Sequence, residues 1–282
     1  MRSRDEVLRI TASVTLACAA GAAILGAVFV GTDRYQRAAQ LASERGAIAE
    51  LLGLGAGAEV TEIRQSLDRG EPGRIGSSAV RYELRPLGEA TAPPRTIAFS
   101  LDGVPVPVAA SPGRGAKSSL VPLGRLFVAR AGGSVAGFVV EGVARGYKNR
   151  IRFLVGLSPG FEVAGVRVVE HEEDPGLGAE VATRVFESQF LGRSAADVRG
   201  LSVTRDPMPE DWHAALLQLE RTPAPQWRAR QRGLLERERT RPIYAVTGAT
   251  ISSRALTDGV RETVDHFRHR WELLAPQLGG PS

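Results

Sequence analysis

The chain has 282 residues, 43% of them hydrophobic and 24% charged, a globular balance that excludes disorder. Its net charge of +5 rests mostly on arginines interleaved with acids, as in LLERERTRP (234–242), so no basic stripe for nucleic acid is present. The single cysteine, Cys18, excludes an intramolecular disulfide and any cysteine-built metal site.

No charge interrupts residues 10–30, ITASVTLACAAGAAILGAVFV, a length that matches the roughly 20 apolar residues needed to cross a bilayer core. Arg2, Arg4 and Arg9 precede it, and a short basic tail stays in the cytoplasm. The expectation is a 1–9 cytoplasmic tail, a 10–30 transmembrane helix and the bulk of the chain on the periplasmic side of a cell inner membrane. A cleaved signal peptide would have a shorter apolar core and a small-residue cleavage site. Here the apolar run passes the alanines and continues into TDRYQRAAQLASERGAIAELLG, which reads as a stem helix over 31–52.

Residues 53–125 carry Gly and Pro clusters (GLGAGAEV, EATAPPRT, PVAASPGRGAK) between short alternating runs such as AVRYELRPL and TIAFSLDGVPVPV. They read as hairpins in an irregular β-rich insertion or subdomain. From Leu126 the pattern sharpens. LFVARAGGSVAGFVVEGVARGY reads as strand, Gly-Gly turn, strand, and IRFLVGLSPGFEVAGVRVVEH as a second pair turning at Ser158, Pro159 and Gly160. AEVATRVFESQFLG has helical spacing through Val181, Val185, Phe186 and Phe190, and more helix, broken around TPAPQW, follows between Pro207 and Arg241. Leu256, Val260, Val264, Phe267, Trp271 and Leu274 share one face of a long final helix. The fold class is therefore α+β: an antiparallel or mixed sheet with flanking helices over 126–275, closed by a 276–282 tail.

Two stretches carry chemistry. YAVTGATISSRA (244–255) puts Gly248 and Ala249 just before Thr250, at the start of the last helix, where free amides and the helix dipole favour an anion. Thr247, Ser252 and Ser253 add hydroxyls and Arg254 a cation, so a phosphate would be well satisfied. Taken alone, this reads first as a hydroxyl-capped helix start, with small residues forming the turn before it. HEEDPGLG (171–178) follows a strand and reads alone as an acidic loop with a structural histidine.

Together the two stretches resemble the RnfG/NqrC family: the FMN-binding G component of the Rnf electron-transport complex and its relative, the C component of the sodium-translocating NADH:quinone reductase. Those proteins have an N-terminal membrane helix, then His-x-Glu-Thr-Pro-Gly-Leu-Gly, then Ser/Thr-Gly-Ala-Thr. His171, Glu173, Pro175, Gly176, Leu177 and Gly178 fit the first pattern, with Asp174 in place of its threonine; Thr247 to Thr250 fit the second in full. The strand pair upstream, with Gly146 and Tyr147, also follows the family in order. The resemblance implies that Thr250 accepts FMN as a phosphoester, delivered from FAD by a flavin transferase using Mg²⁺. It implies cofactor contacts from Thr247, Gly248, Ala249, Ser252, Arg254, Glu173 and Leu177, with no catalytic residue and no metal ligand in the chain. The implied role is a membrane-anchored electron relay among the other subunits of an Rnf-type complex, which exchanges electrons between ferredoxin and NAD coupled to ion movement. The corresponding component of the quinone reductase and a stand-alone extracytoplasmic flavin carrier are the neighbouring readings. A membrane-tethered scaffold or sensor is the reading of another class. One departure concerns Tyr244, which stands where the acceptor pattern of the family often has an aspartate. The chain has no Rossmann fingerprint and no cysteine cluster, so neither NAD nor an iron–sulfur centre is expected on it.

Overall fold

The computed structural model describes residues 2–53, 58–69, 78–87, 93–108, 120–219, 221, 222 and 224–278. It divides into two compact units, Met1–Gly46 and Ala47–Ser282. Helix α1 (Arg2–Leu52) makes up the first unit and gives its last residues to the second. Within the first unit, Thr11–Thr32 is long and apolar enough to cross a membrane, and Leu16, Ile24, Leu25 and Phe29 on it are exposed.

The second unit is built on a seven-stranded antiparallel sheet in the order β3-β2-β1-β4-β5-β6-β7. The strands are β1 (Glu59–Asp68), β2 (Ala79–Pro86), β3 (Arg95–Ser100), β4 (Leu120–Ala131), β5 (Ser134–Arg145), β6 (Arg150–Leu157) and β7 (Val163–Glu170). Residues 53–125 thus supply β1 to β3 and the start of β4 to the same sheet that carries β5 to β7, with β1 paired along β4 from Glu59↔Arg130 to Asp68↔Leu120. The Gly/Pro clusters of that region fall largely outside the described residues. The β4–β5 turn is Gly132 and Gly133, with φ of 57° and 82°. Two consecutive positive φ values are what a two-residue hairpin turn of the right twist requires, and glycine supplies them without strain.

Successive strand side chains point to opposite faces, so the sheet has two apolar sides. On one side lies α7 (Thr250–Leu274), whose Leu256, Val260, Val264, Phe267, Trp271 and Leu274 are all buried. They join Phe138, Val140, Phe153 and Val155 of the central strands in the main core. The rings of Phe267 and Trp271 meet Phe138 at centroid distances of 5.0 and 4.5 Å, edge to face. On the other side the end of α1 packs Ala47, Ile48 and Leu51 against Phe127, Val139 and Leu154. Gly156 and Gly165, direct partners across β6 and β7, leave the space that Leu51 fills.

The segment after β7 is not one helix. It runs as a 3₁₀ turn (Gly178–Ala182), α2 (Arg184–Glu187) and a second 3₁₀ turn (Ser188–Phe190). Thr183 breaks it. Its backbone is extended, and its hydroxyl donates to the Glu180 carbonyl at 2.7 Å and accepts from the Phe186 amide at 3.4 Å, so α2 starts anew. Val181, Phe186 and Phe190 nevertheless stay in the main core.

Short helices α3 (Ala195–Arg199), α4 (Glu210–Leu219), α5 (Ala224–Arg230) and α6 (Arg232–Glu238) follow, with a two-stranded parallel pair, β8 (Val203–Thr204) and β9 (Ile243–Tyr244). A third apolar cluster of Leu191, Trp212, Ala215, Leu216, Trp227 and Tyr244 holds this region together. At its centre Arg193, only 2% exposed, donates to the carbonyls of Gln189, Arg239 and Arg241 at 2.6–2.9 Å.

Candidate functional site

The site forms where three pieces of chain meet: the β5–β6 turn, the loop after β7, and the first turn of α7. The approach to α7 is fixed by Gln189, whose side-chain amide clasps the Tyr244 backbone, accepting from its N–H at 2.8 Å and donating to its carbonyl at 3.1 Å. Tyr244 is buried in β9, and its hydroxyl donates to Glu238 at 3.2 Å. The chain then turns through Thr247 and Gly248, where φ is +79° and a side chain would press on Leu177.

Ala249 occupies the cap position of α7 with no side-chain cap bond, and Thr250 is the first helical residue. The first turn-to-turn backbone bond runs from Ser253 N–H to the Ala249 carbonyl at 3.0 Å. The amides of Thr250, Ile251 and Ser252 therefore precede the helical ladder, at the positive end of the helix dipole. The hydroxyls sort themselves by burial. Ser253 accepts from the Val246 amide at 3.0 Å and donates to the Ala249 carbonyl at 2.9 Å, so it acts as the helix-start lock. Thr257 donates to the Ser253 carbonyl at 2.8 Å, and Ser252 donates to Glu173. All three are buried, whereas Thr247 is exposed and Thr250 half-buried.

Two cavities flank Thr250. One, about 430 Å³, is lined by Tyr147, Glu173, Leu177, Ile251 and neighbours, including Gly248, Ala249 and Ser252. The other, about 920 Å³, is lined by Thr247, Gly248 and Thr250 together with Gln189, Arg205, Met208 and His213. Tyr147, Leu177 and Ile251 are 69%, 49% and 59% exposed, an apolar rim beside the hydroxyl. Arg254 is exposed one turn further along α7 and lines neither cavity.

Glu173 is 5% exposed, and its carboxylate accepts from the backbone amides of Tyr147, Lys148 and Asn149 at 3.1, 3.0 and 3.3 Å as well as from Ser252. Burial pushes its pKa up, but the Ser252 hydroxyl and the three amides outweigh burial and hold it below the usual range. Asp174 receives Lys148 Nζ at 2.8 Å, which raises the lysine pKa, and its carbonyl accepts from the amides of Leu177 and Ala179. Its carbonyl thus stabilises the loop that presents Leu177.

Residues 146–265 match the family model described as the FMN-binding domain. These residues belong to the FMN-binding domain family. The G subunit of the proton-translocating ferredoxin:NAD(+) oxidoreductase complex of Clostridium ljungdahlii is 30% identical over 139 residues, 49% of this chain and 57% of that protein. The G subunit of the Na(+)-translocating ferredoxin:NAD(+) oxidoreductase complex of Acetobacterium woodii is 26% identical over 149 residues, 51% and 55% of the two chains. The chain thus spans little more than half the length of these relatives. Among solved structures, NqrC of Shewanella oneidensis aligns at a TM-score of 0.37 with 19% identity, over 63% of this chain and 79% of that one.

The FMN-binding domain brings together most of the residues expected from its sequence: Thr247, Gly248, Ala249, Thr250, Ser252, Glu173 and Leu177 line one or both cavities. The residues fit the group. A phosphate matches the free amides of the helix start, and a flat three-ring system matches an apolar rim of Tyr147, Leu177 and Ile251. Sequence reasoning misses Tyr147 as a lining residue, although the Gly-Tyr pair is visible, and it misses Ile251. A large aliphatic, unprotected in the first turn of the helix, is the available signal for Ile251. Arg205, Met208 and His213 come from a separate segment with no local pattern of their own. Among the described residues, no group of three or more His, Cys, Asp or Glu could hold a metal ion.

Proposed function

We propose that this chain is a membrane-anchored flavoprotein subunit that carries FMN as a phosphoester on Thr250 and relays electrons within an Rnf-type ion-translocating complex. The observation that supports the reading is the position of Thr250, the first residue of α7 and a lining residue of both cavities in an FMN-binding domain. Ferredoxin, NAD and the companion subunits come to this chain from the names of its relatives in the ferredoxin:NAD(+) oxidoreductase complexes. The apolar stretch of α1 is the anchor, with the basic N-terminal tail cytoplasmic and the flavin domain on the periplasmic side.

Attachment needs a partner. A flavin transferase with Mg²⁺ brings FAD; a bond forms between Thr250 Oγ and the FMN phosphorus, the pyrophosphate bond breaks, and AMP leaves. The hydroxyl proton passes to a base on the transferase, since a threonine hydroxyl is a weak nucleophile unaided. The resulting phosphodiester keeps one negative charge, which the amides of Thr250, Ile251 and Ser252 and the helix dipole accommodate. FMN supplies one- and two-electron redox chemistry. The chain contributes placement: Tyr147, Leu177 and Ile251 would hold the ring against their exposed side chains, and the Gln189 clasp on Tyr244 holds the motif in line.

The test uses the full chain co-expressed with a flavin transferase, a denaturing gel read under ultraviolet light, and peptide mass mapping. A fluorescent band and a mass increment on the peptide containing Thr250 are expected, both lost in Thr250→Ala. A band that persists in Thr250→Ala removes the assignment.

A further inference from the structure

Glu173 is expected among the flavin contacts, and its geometry assigns it other work. Both carboxylate oxygens are already taken, by three consecutive backbone amides of the β5–β6 turn and by the Ser252 hydroxyl. Its carboxylate is tightly flanked, although the residue also lines the smaller cavity. A Cβ added at Gly178 would lie 2.6 Å from Glu173 Oε2 and 2.9 Å from Ser252 Oγ, and one added at Gly146 would run into Glu173 Oε1. Two glycines therefore give the carboxylate its slot, one from each side, and the slot leaves little space for a ligand atom. Ser252 sits two residues after Thr250 in the same turn of α7, and Tyr147 and Ile251, flanking the two ends of this bridge, line the smaller cavity with Thr250.

We propose that Glu173 is the positioning residue of the acceptor: through Ser252 it clamps the first turn of α7 to the β5–β6 turn, and so fixes where the Thr250 hydroxyl points. The proposal rests on Thr250 being the acceptor. The carboxylate acts through hydrogen bonds alone and takes no part in the transfer. A clamp of this kind also accounts for a buried acid at a helix start that lacks a side-chain cap, because it supplies from another element the negative charge that the helix end favours. Without it, the first turn is free to fray, and the acceptor hydroxyl samples directions from which in-line attack fails.

The experiment measures initial rates of covalent flavin incorporation into the purified full chain in detergent, with a purified flavin transferase, FAD and Mg²⁺, at varied chain concentration. Glu173→Gln keeps the shape and removes the charge; Ser252→Ala removes the other half of the bridge. The expected result is a fall in kcat of at least tenfold in each, with the KM for the chain within twofold of wild type. The double variant should be no slower than the slower single one, since both cut the same link. A loss of folded protein alone would lower the extent of labelling and leave the rate per folded molecule unchanged. Circular dichroism fixes the folded fraction, and Ser252→Ala carries the test if Glu173→Gln does not fold. Wild-type kcat in the folded variants, or strictly multiplicative losses in the double variant, overturns the clamp. Absence of any adduct on wild-type Thr250 overturns instead the acceptor assignment, so the two failures are distinguishable.

Discussion

Gly178→Ala is the sharpest structural test of the site, because its effect is set by three distances. The new methyl carbon would sit 2.6 Å from Glu173 Oε2, 2.9 Å from Glu173 Cβ and 2.9 Å from Ser252 Oγ. The two oxygen contacts lie well inside the roughly 3.3 Å at which carbon and oxygen first touch comfortably, and the carbon contact lies inside the roughly 3.5 Å of a close carbon pair. A flexible surface carboxylate would swing away at little cost, but this one is held by three amides and a hydroxyl. Moving it loses at least the Ser252 bond, worth about 1.5–3 kcal/mol for a charged acceptor, and residual overpacking adds about 1–3 kcal/mol. Reduced freedom of the unfolded chain gives back about 0.4–1 kcal/mol. The net expectation is a destabilisation of about 3 kcal/mol, read by urea unfolding of the full chain through its tryptophans. Glu173→Ala removes the shortest contact, to Oε2, and keeps the one to Cβ, so in that background the same substitution should cost only the residual overpacking, about 1–2 kcal/mol. A wild-type midpoint for Gly178→Ala, or a full penalty that survives in the Glu173→Ala background, would refute the closed slot.

The groove under the end of α1 gives a paired prediction. A Cβ at Gly156 meets Leu51 Cβ at 2.8 Å and the Leu51 carbonyl at 3.0 Å, which cannot yield, whereas one at Gly165 meets only the tip of Leu51. Gly156→Ala should therefore cost about 2–3 kcal/mol and Gly165→Ala less than about 1 kcal/mol in urea unfolding, and equal losses would contradict the groove. Removing the Phe267 ring, which packs on Phe138, should cost about 3–5 kcal/mol as Phe267→Ala, checked by thermal melts. Burial lifts the Glu187 pKa from 4.5 to about 7, against the pull of Arg167, the Val168 amide and Arg184. The folded state thus holds this proton more tightly than the unfolded chain. The stabilisation is complete below about pH 4.5 and lost as pH rises through about 7, at about 1.4 kcal/mol per pH unit, a ceiling of about 3 kcal/mol. Unfolding free energies at pH 5 and pH 8 should show wild type losing about 2.5 kcal/mol more than Glu187→Gln, because a little is already lost by pH 5, and parallel profiles would remove Glu187 as the titrating group.

What the sequence shows of this fold is its local periodicity. Leu256, Val260, Val264, Phe267, Trp271 and Leu274 repeat at three and four residues, and all six are buried along α7. Gly132 and Gly133 announce a turn because only that residue takes two positive φ values freely, and they make it. Pairing between distant strands has no such signature. AVRYELRPL alternates as a strand should, yet nothing in it says that β1 and β2 extend the sheet of β5 to β7, because register between strands is set by what each face buries in the finished molecule. The helical spacing from Val181 to Phe190 is right about Val181, Phe186 and Phe190, which are buried, but Val185 is only partly so, and the helix is not continuous, since one threonine bonding its own neighbours re-starts it.

At the site, the difference lies between a residue type and its partners. Four hydroxyls between Thr247 and Ser253 are chemically near-equivalent as letters. The fold separates them: Ser253 is spent on the turn, Ser252 on Glu173, and Thr247 and Thr250 are left beside the larger cavity. Glu173 is visible as one acid in an acidic loop, but its other partners are backbone amides at 147–149, which every residue except proline carries and no sequence pattern advertises. The glycines are the indirect signal. Neither Gly146 nor Gly178 has the positive φ that favours glycine, so their small size answers to space, and most of that space is the carboxylate's. A glycine outside the left-handed region, on either side of a lone buried acid, is thus physical evidence that the acid is held from several directions. By that argument Glu173 belongs to the frame around Thr250, while Leu177, Tyr147 and Ile251, which the same frame leaves exposed, form the rim of the smaller cavity.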